Sequence, residues 1–397
     1  MNSALEKDSV NVLIGGEAGQ GLVTVGELLS LSLVRSGYGI VVTQDYMSRV
    51  RGGHNTFVIR ASRRPVAAPQ EPVDLLVALN GETVERHAAG LTSCGIVVAD
   101  GALDLRIEGP CLRVPFAELA PKTFQNIVAL GAAGALMGLP ESVLAHAVEE
   151  HFGAKKAELV DGNRRALAQT YAWALSQATL FPRLAPPVSQ GPMLMMNGND
   201  AIALGALAAG VKFCAFYPMT PSTSIPLTLI RHSAALGLVV EQAEDEIAAI
   251  NMAIGASFAG APSLAATSGG GFALMVEGVS LAGMTETPLV IVVAQRPGPA
   301  TGLPTRTEQG DLEFVLRAGH GEFPRALFAP GSVEDCFRLT GEAFRLANRY
   351  QGPVFLLTDQ FLADSYRAVA PFRLDGSPVV TAGDGPAPAL PYQRYAI

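Results

Sequence analysis

Twice along this chain a short apolar run breaks at a turn and gives way to helical periodicity, and this alternation restricts the fold more than any other feature. Val10–Ile14 (VNVLI) suits a strand buried on both faces. The glycine-rich stretch Gly15–Gly21 (GGEAGQG) follows as a turn, and Leu22–Val34 carries helical spacing, with Leu22, Val25, Leu29 and Leu33 on one face and Gly37 as the C-cap. Further strands are expected at Ile40–Thr43, Phe57–Arg60, Asp74–Leu79 and Gly95–Asp100, and helices at Thr123–Met137, Glu141–Phe152 and Lys155–Ser176. Four prolines in Leu180–Pro192 mark a linker. Beyond it, helices at Asp200–Ala209, Glu244–Phe258 and Val333–Arg349 alternate with strands at Phe213–Phe216, Ser263–Thr267, Leu289–Ala294, Arg325–Phe328 and Val354–Thr358. Repeated strand–helix alternation predicts an α/β protein whose second half is a doubly wound parallel sheet.

Composition removes several alternatives. With 49% hydrophobic and 16% charged residues over 397, the chain has ample material for large cores. A net charge of −8 argues against a non-specific nucleic-acid binder, which needs a basic surface. Every apolar run is interrupted well before the length of a membrane span, and no apolar leader segment opens the chain. The four cysteines, Cys94, Cys111, Cys214 and Cys336, form no C-x-x-C pair and offer no metal or iron–sulfur cassette. These features predict a cytoplasmic chain with no nucleic acid, membrane or metal of its own.

Five segments carry candidate chemistry. Strand, glycine-rich turn and helix at Gly15–Gly21 aim backbone N–H groups at an anion through Gly16, Gly19 and Gly21; a close strand–helix packing turn is the equal alternative. Arg49–Asn55 (RVRGGHN) reads as a donor-rich loop, for an anion or a subunit contact, with His54 as a structural histidine. In Phe216–Ser224 (FYPMTPSTS), Ser222, Thr223 or Ser224 would cap the next helix, and Thr220 between two prolines would present a hydroxyl at a strand's carboxyl end. In Glu241–Ile250, Glu246 shares a helix face with Ile250, Ala253, Ile254 and Ser257. A carboxylate on an apolar face needs a partner or a raised pKa, and either suits proton handling. The long loop Ala294–Asp311 opens with Arg296 directly after a buried strand, placed to clamp a carboxylate.

With those residues in view, the chain resembles the alpha subunit of 2-oxoacid:ferredoxin oxidoreductases with an N-terminally fused gamma domain. GGEAGQG and VRGGHN resemble the gamma domain; YPMTPSTS, AEDEIAAINMAIGAS and QRPGPATGLPTRTEQGDL resemble the thiamine-pyrimidine domain; GHGEFPR at Gly319–Arg325 is similar to the 2-oxoglutarate branch. The resemblance implies a gamma-type α/β domain over 1–179, a linker over 180–193, a thiamine-pyrimidine-binding doubly wound domain over 194–369, and a tail over 370–397. It implies CoA-dependent oxidative decarboxylation of a 2-oxoacid, with electrons passed to ferredoxin. Glu246 matches the glutamate that bonds the thiamine aminopyrimidine. Thr220 and Thr305 match substrate-site threonines, and Arg296 matches the arginine that binds the 2-oxoacid carboxylate. Thiamine diphosphate would be shared with a beta subunit that holds the magnesium ion and the iron–sulfur cluster, in a heterodimer or larger hetero-oligomer, with CoA as co-substrate. The GDG at Gly383–Gly385 lies in a Pro-rich tail and is no diphosphate motif. Relatives continue past PYQRYAI into a further domain, so a truncated fragment or a non-catalytic assembly subunit stands as the alternative.

Overall fold

The computed structural model describes residues 6–47, 52–153, 157–177, 181–188 and 191–374. Arg49 to Arg51 of the RVRGGHN segment, part of the expected linker, and the tail with Gly383–Gly385 lie outside the described residues. The chain divides into two compact units: Met1–Met196 with Ser365–Pro371, and a second built on Asn197–Asp364.

The first unit runs β1 (Glu6–Lys7), β2 (Ser9–Ala18), α1 (Leu22–Arg35), β3 (Gly39–Asp45), β4 (Gly52–Ser62), β5 (Val73–Ala78), α2 (Gly81–His87), β6 (Leu91–Asp100), β7 (Cys111–Val114), α3 (Phe116–Leu119), α4 (Gln125–Met137), α5 (Glu141–Phe152), α6 (Ala157–Ser176), β8 (Arg183–Leu184) and β9 (Leu194–Met196). The second runs α7 (Gly198–Ala208), β10 (Phe213–Phe216), α8 (Ser224–Leu236), β11 (Val239–Gln242), α9 (Glu246–Phe258), β12 (Ser263–Thr267), α10 (Gly269–Met284), β13 (Leu289–Gln295), α11 (Leu312–Arg317), β14 (Ala326–Phe328), α12 (Val333–Tyr350), β15 (Pro353–Asp359) and α13 (Gln360–Asp364). β16 (Arg367–Val369) returns to the sheet of the first unit.

That first sheet has the order β7-β6-β5-β2-β4-β3-β16-β9. β2, β5, β6 and β7 are parallel, and β4 runs antiparallel to both β2 and β3. Two expectations are corrected here. Gly15 and Gly16 are not turn residues: β2 continues to Ala18, because Gly15 and Gly16 pair with Thr56 and Asn55 across the sheet. The turn is only Gly19–Gly21, where Gly19 and Gly21 take positive φ of 100° and 81°. Likewise Gly52–Asn55 are not a loop but the first residues of β4, held by that same pairing.

The second sheet is wholly parallel, in the order β11-β10-β12-β13-β15-β14. Every residue of β12, β13 and β15 is buried, which is why their sequences are mostly apolar, with polar residues only at the strand ends. α12 covers one face with Val333, Phe337, Thr340, Ala343, Phe344 and Ala347, and starts at Ser332, whose Oγ accepts from the Asp335 N–H at 3.1 Å. From β10 the chain goes outward to β11, then crosses back to β12 on the other side. The strand order reverses between β10 and β12, and the crevice outside their carboxyl ends is where such sheets bind ligands.

Candidate active site

Each strand around that reversal delivers one of the candidate residues. After β10, Tyr217–Thr223 turn toward α8. Asn199 of α7 braces the turn by donating to the Pro221 carbonyl and to Ser224 Oγ, both at 2.7 Å. Ser222 Oγ donates to the Met219 carbonyl at 2.8 Å. The expected hydroxyl cap is therefore absent: Thr223 precedes α8 in helical backbone conformation and makes no side-chain cap, and Ser222 is committed to the turn. Thr220 sits half-buried at the turn's apex.

After β11, α9 begins at Glu246 rather than Glu244, because Asp245 is extended and its Oδ1 accepts from the Ala248 N–H at 2.7 Å. Glu246 is thereby the first helical residue and only 3% exposed. Its Oε1 has no hydrogen-bond partner among the described residues. The face beneath it is the one read from the sequence: Ile250, Ala253, Ile254 and Ser257 are all buried. Burial raises its pKa; its own backbone N–H opposes, Asp245 adds to the rise, and Arg296 opposes it.

After β13 comes Arg296, 9% exposed. Its Nη1 donates to the Thr220 carbonyl at 2.6 Å and its Nη2 to the Thr301 carbonyl at 3.0 Å, while Nε is buried without a partner among the described residues. Burial lowers its pKa and the Glu246 carboxylate raises it. Thr305 lies further along the same loop, half-buried. The structure thus joins Thr220 to Arg296 directly and couples Arg296 electrostatically to Glu246, with Thr305 on the loop that Arg296 anchors.

After β12, Thr267–Ser268 lead into the triplet Gly269–Gly271 that starts α10. This triplet is not among the five segments with candidate chemistry in the sequence. A Cβ at Gly271 would overlap Thr267 Oγ1 and stand 2.6 Å from Glu246 Oε1; one at Gly270 would stand 2.9 Å from the Ala300 carbonyl oxygen; one at Gly269 would overlap the Asp311 carboxyl. The glycines let Glu246 and both arms of the loop seat on one helical turn. Asp311 was also missed. It is anchored by its N–H to Gln295 Oε1 at 2.9 Å, its Oδ2 is buried without a partner among the described residues, and burial raises its pKa, with Glu308 adding to the rise. The available signal was the S-L-A-A-T-S-G-G-G order, a strand running into glycines and a helix, the pattern already read at Gly15–Gly21.

In the first unit, Gly19 and Gly21 border a cleft of about 420 Å³ at the carboxyl ends of β2, β5 and β6, with Asp100, Lys122 and Asn126 on its walls. Gly21 precedes α1 with no side-chain cap, so the first N–H groups of that helix have no side-chain cap on this side. Gly16 serves contact: a Cβ there would be 2.7 Å from Gln20 Oε1 and 3.1 Å from Leu79 Cβ. His54 is bonded to His87, Nε2 to Nε2 at 2.8 Å.

The family models for pyruvate ferredoxin/flavodoxin oxidoreductase match residues 11–173, and for the thiamine-diphosphate-binding pyruvate flavodoxin/ferredoxin oxidoreductase domain residues 204–389. The chain is 32% identical to the 2-oxoacid:ferredoxin oxidoreductase subunit alpha of Sulfolobus sp, over 96% of this chain and 70% of that one. It is 44% identical to the 2-oxoglutarate synthase subunit KorA of Archaeoglobus fulgidus, over 45% of this chain and 51% of that one. Among solved structures, the 2-oxoglutarate:ferredoxin oxidoreductase of Magnetococcus marinus, with 2-oxoglutarate, coenzyme A and succinyl-CoA bound, superposes with a TM-score of 0.86 at 32% identity, over 96% of this chain and 69% of that one.

Proposed function

The chain belongs to the 2-oxoacid:ferredoxin oxidoreductase family, as an alpha-type subunit, and we propose that it carries the acid half of a thiamine-diphosphate site for the CoA-dependent oxidative decarboxylation of 2-oxoglutarate. The observation that carries the reading is Glu246: a buried acid with a raised pKa and one oxygen left without a partner among the described residues, beside the strand reversal where such sheets bind ligands. An aminopyrimidine nitrogen is the kind of group that oxygen fits. When bound, thiamine diphosphate supplies a carbon nucleophile and an electron sink for loss of carbon dioxide from a 2-oxoacid.

The chain's own residues then have distinct tasks. Glu246 holds a proton against the pyrimidine nitrogen, and its apolar face keeps water from competing for that proton. Arg296 keeps three guanidinium N–H groups beyond the two bonded to Thr220 and Thr301, enough to receive a carboxylate while fixing the turn. Thr220 and Thr305 present hydroxyls to the 2-oxoacid. Gly19 and Gly21, with the α1 N-terminus and Lys122, suit the phosphates of CoA, and Gly16 lets the turn pack closely. By the family resemblance we assign 1–179 to the gamma-type part, 180–193 to the linker, 194–369 to the thiamine-pyrimidine-binding part and 370–397 to a tail; within those bounds β8 pairs with β1, and β9 and β16 belong to the first sheet.

Magnesium and the iron–sulfur cluster are assigned to a beta subunit, which passes electrons to ferredoxin. The outward sides of α9 and α10 support such a partner. Ile247, Met252 and Phe258 on α9, and Leu274, Leu281 and Met284 on α10, are 38–82% exposed. A helix that is apolar all round is stable only when covered. No helix among the described residues is long and apolar enough to cross a membrane, and we propose a cytoplasmic location. The relatives' names favour an enzyme over a non-catalytic assembly subunit.

The test is to tag the chain in its native host and assay the eluate for viologen reduction with thiamine diphosphate, CoA and either 2-oxoglutarate or pyruvate. CoA-dependent reduction faster with 2-oxoglutarate is expected. A stoichiometric complex inactive on every 2-oxoacid overturns the reading, and a faster rate with pyruvate overturns its substrate.

A further inference from the structure

His54 lies on β4 and His87 ends α2. Their Nε2 atoms are 2.8 Å apart, with 5.0 Å between ring centroids and 29° between ring planes. Both rings are half-buried, and His54 Nδ1 is shut from solvent with no partner among the described residues. A buried N–H with no acceptor costs more than a buried lone pair with no donor. The proton of neutral His54 therefore sits on Nε2 and is donated to His87 Nε2, and His87 carries its own proton on Nδ1. In that arrangement neither ring has room for another proton. His87 Nε2 is occupied, and His54 Nδ1 is shut from solvent with no acceptor among the described residues.

The contact fastens a helix that cannot hold itself. α2 has seven residues, too few to be stable alone. Its other end is tied to the Gly19–Gly21 turn. Asn80 Oδ1 accepts from Thr83 N and Oγ1 at 3.0 and 2.8 Å, Asn80 Nδ2 donates to Gln20 Oε1 at 3.4 Å, and the same Gln20 oxygen takes the Glu17 N–H at 2.8 Å. Between the ends, Thr83 lies where a side chain on Gly15 of β2 would be.

We propose that the His54–His87 contact is an acid-released latch: a proton on His87 detaches the carboxyl end of α2 from β4 and, through Asn80 and Gln20, loosens the Gly19–Gly21 turn. The inference stands whether or not that turn receives a phosphate. The surroundings fit a pair that is neutral at pH 7. Burial lowers both pKa values first; each ring is opposed by Arg86, and His87 also by His54, while Asp45 on β3 favours charge on both and Glu82 on α2 favours it on His54. Glu17 of β2 pairs with His54 in register and is exposed. Because the folded pKa lies below the ordinary value, the latch's contribution is full above that value and is lost as pH falls through the lowered one.

Hydrogen exchange by mass spectrometry on the full chain between pH 5 and 8, corrected for intrinsic rates, tests this. Protection of peptides covering α2 should fall about tenfold per pH unit once His87 charges, with α4 unaffected. In His87→Gln the amide oxygen still accepts from His54 but cannot be protonated, so the dependence should flatten. In His54→Gln the amide still donates to His87, so the dependence should persist. A flat wild-type profile, or an unchanged slope in His87→Gln, overturns the latch. Should a variant not fold, ring 15N shifts of the wild-type chain decide the matter: a proton on His87 Nδ1 supports the latch, and one on its Nε2 overturns it.

Discussion

Arg296 Nη1 donates to the carbonyl of Thr220 at 2.6 Å, joining two loops 76 residues apart in sequence. The second bond, to Thr301, makes the guanidinium a staple as well as a free donor set. Arg296→Ala should therefore lose stability as well as substrate binding. A charge-assisted hydrogen bond contributes roughly 1.5–3 kcal/mol, and the exposed Thr301 carbonyl is rehydrated while Thr220's is less so. A loss of about 2–3 kcal/mol is expected, or on the order of 5–10 °C in Tm, together with lower kcat/KM. Thermal denaturation unchanged by the substitution would mean that these bonds hold nothing.

Glu246 trades stability for its proton. Burial raises its folded pKa above the ordinary 4.5. The fold is thus best supported below that ordinary value, and support is lost as pH rises through the raised one. Glu246→Gln should be more stable than wild type at pH 8, by about 1 kcal/mol, with the gain vanishing near pH 4. Turnover should fall by roughly 10²–10⁴-fold, the usual worth of a positioned acid–base group. A variant that gains equally at both pH values would show that ionisation is not the cause.

Much of this was legible in the sequence, for local reasons. The buried runs of β2, β12, β13 and β15 are short, mostly apolar and bounded by turn residues, which by length favours strands, and the Glu246 face was set by spacing within one helix. What escaped depends on partners far away in the chain. Gly15 and Gly16 read as a turn by composition, yet β4 supplies ladder bonds that a glycine accepts as well as any residue. β16 pairs Arg367 with Val41 and Met196, a register no local window contains. The bonds of Arg296 go to backbone carbonyls, which have no residue signature. The glycine triplet was visible but silent, since its meaning lies in Glu246, Ala300 and Asp311 above it.

Two glycines of the second unit should respond in opposite ways. A methyl at Gly271 overlaps Thr267 Oγ1 and displaces the Glu246 carboxyl, whereas one at Gly255, within α9, meets nothing within 4 Å. Gly271→Ala should cost about 1–3 kcal/mol as an overpacked site and impair turnover through Glu246. Gly255→Ala should add about 1 kcal/mol by helix propensity alone. Denaturant titrations of both read the two signs directly, and a neutral Gly271→Ala would show that the floor beneath Glu246 is loose.

The outward sides of α9 and α10 carry the last expectation. Met252 is 42% exposed and Leu274 50%, on helices whose inner sides are already filled by the core around Ile250, Phe272 and Met275. A charge at Met252 touches nothing the isolated chain needs, so Met252→Asp should fold with stability within about 0.5 kcal/mol of wild type. If a partner covers that face, the same carboxylate becomes a desolvated, unpaired charge at the interface, costing several kcal/mol and abolishing co-purification. Leu175→Asp, on the 54%-exposed outer side of α6, is the control that should leave assembly intact. Analytical ultracentrifugation of the tagged eluate separates the cases. Full-size assembly in Met252→Asp would move the partner to another face, whereas a free, folded chain of wild-type stability would place it on these two helices.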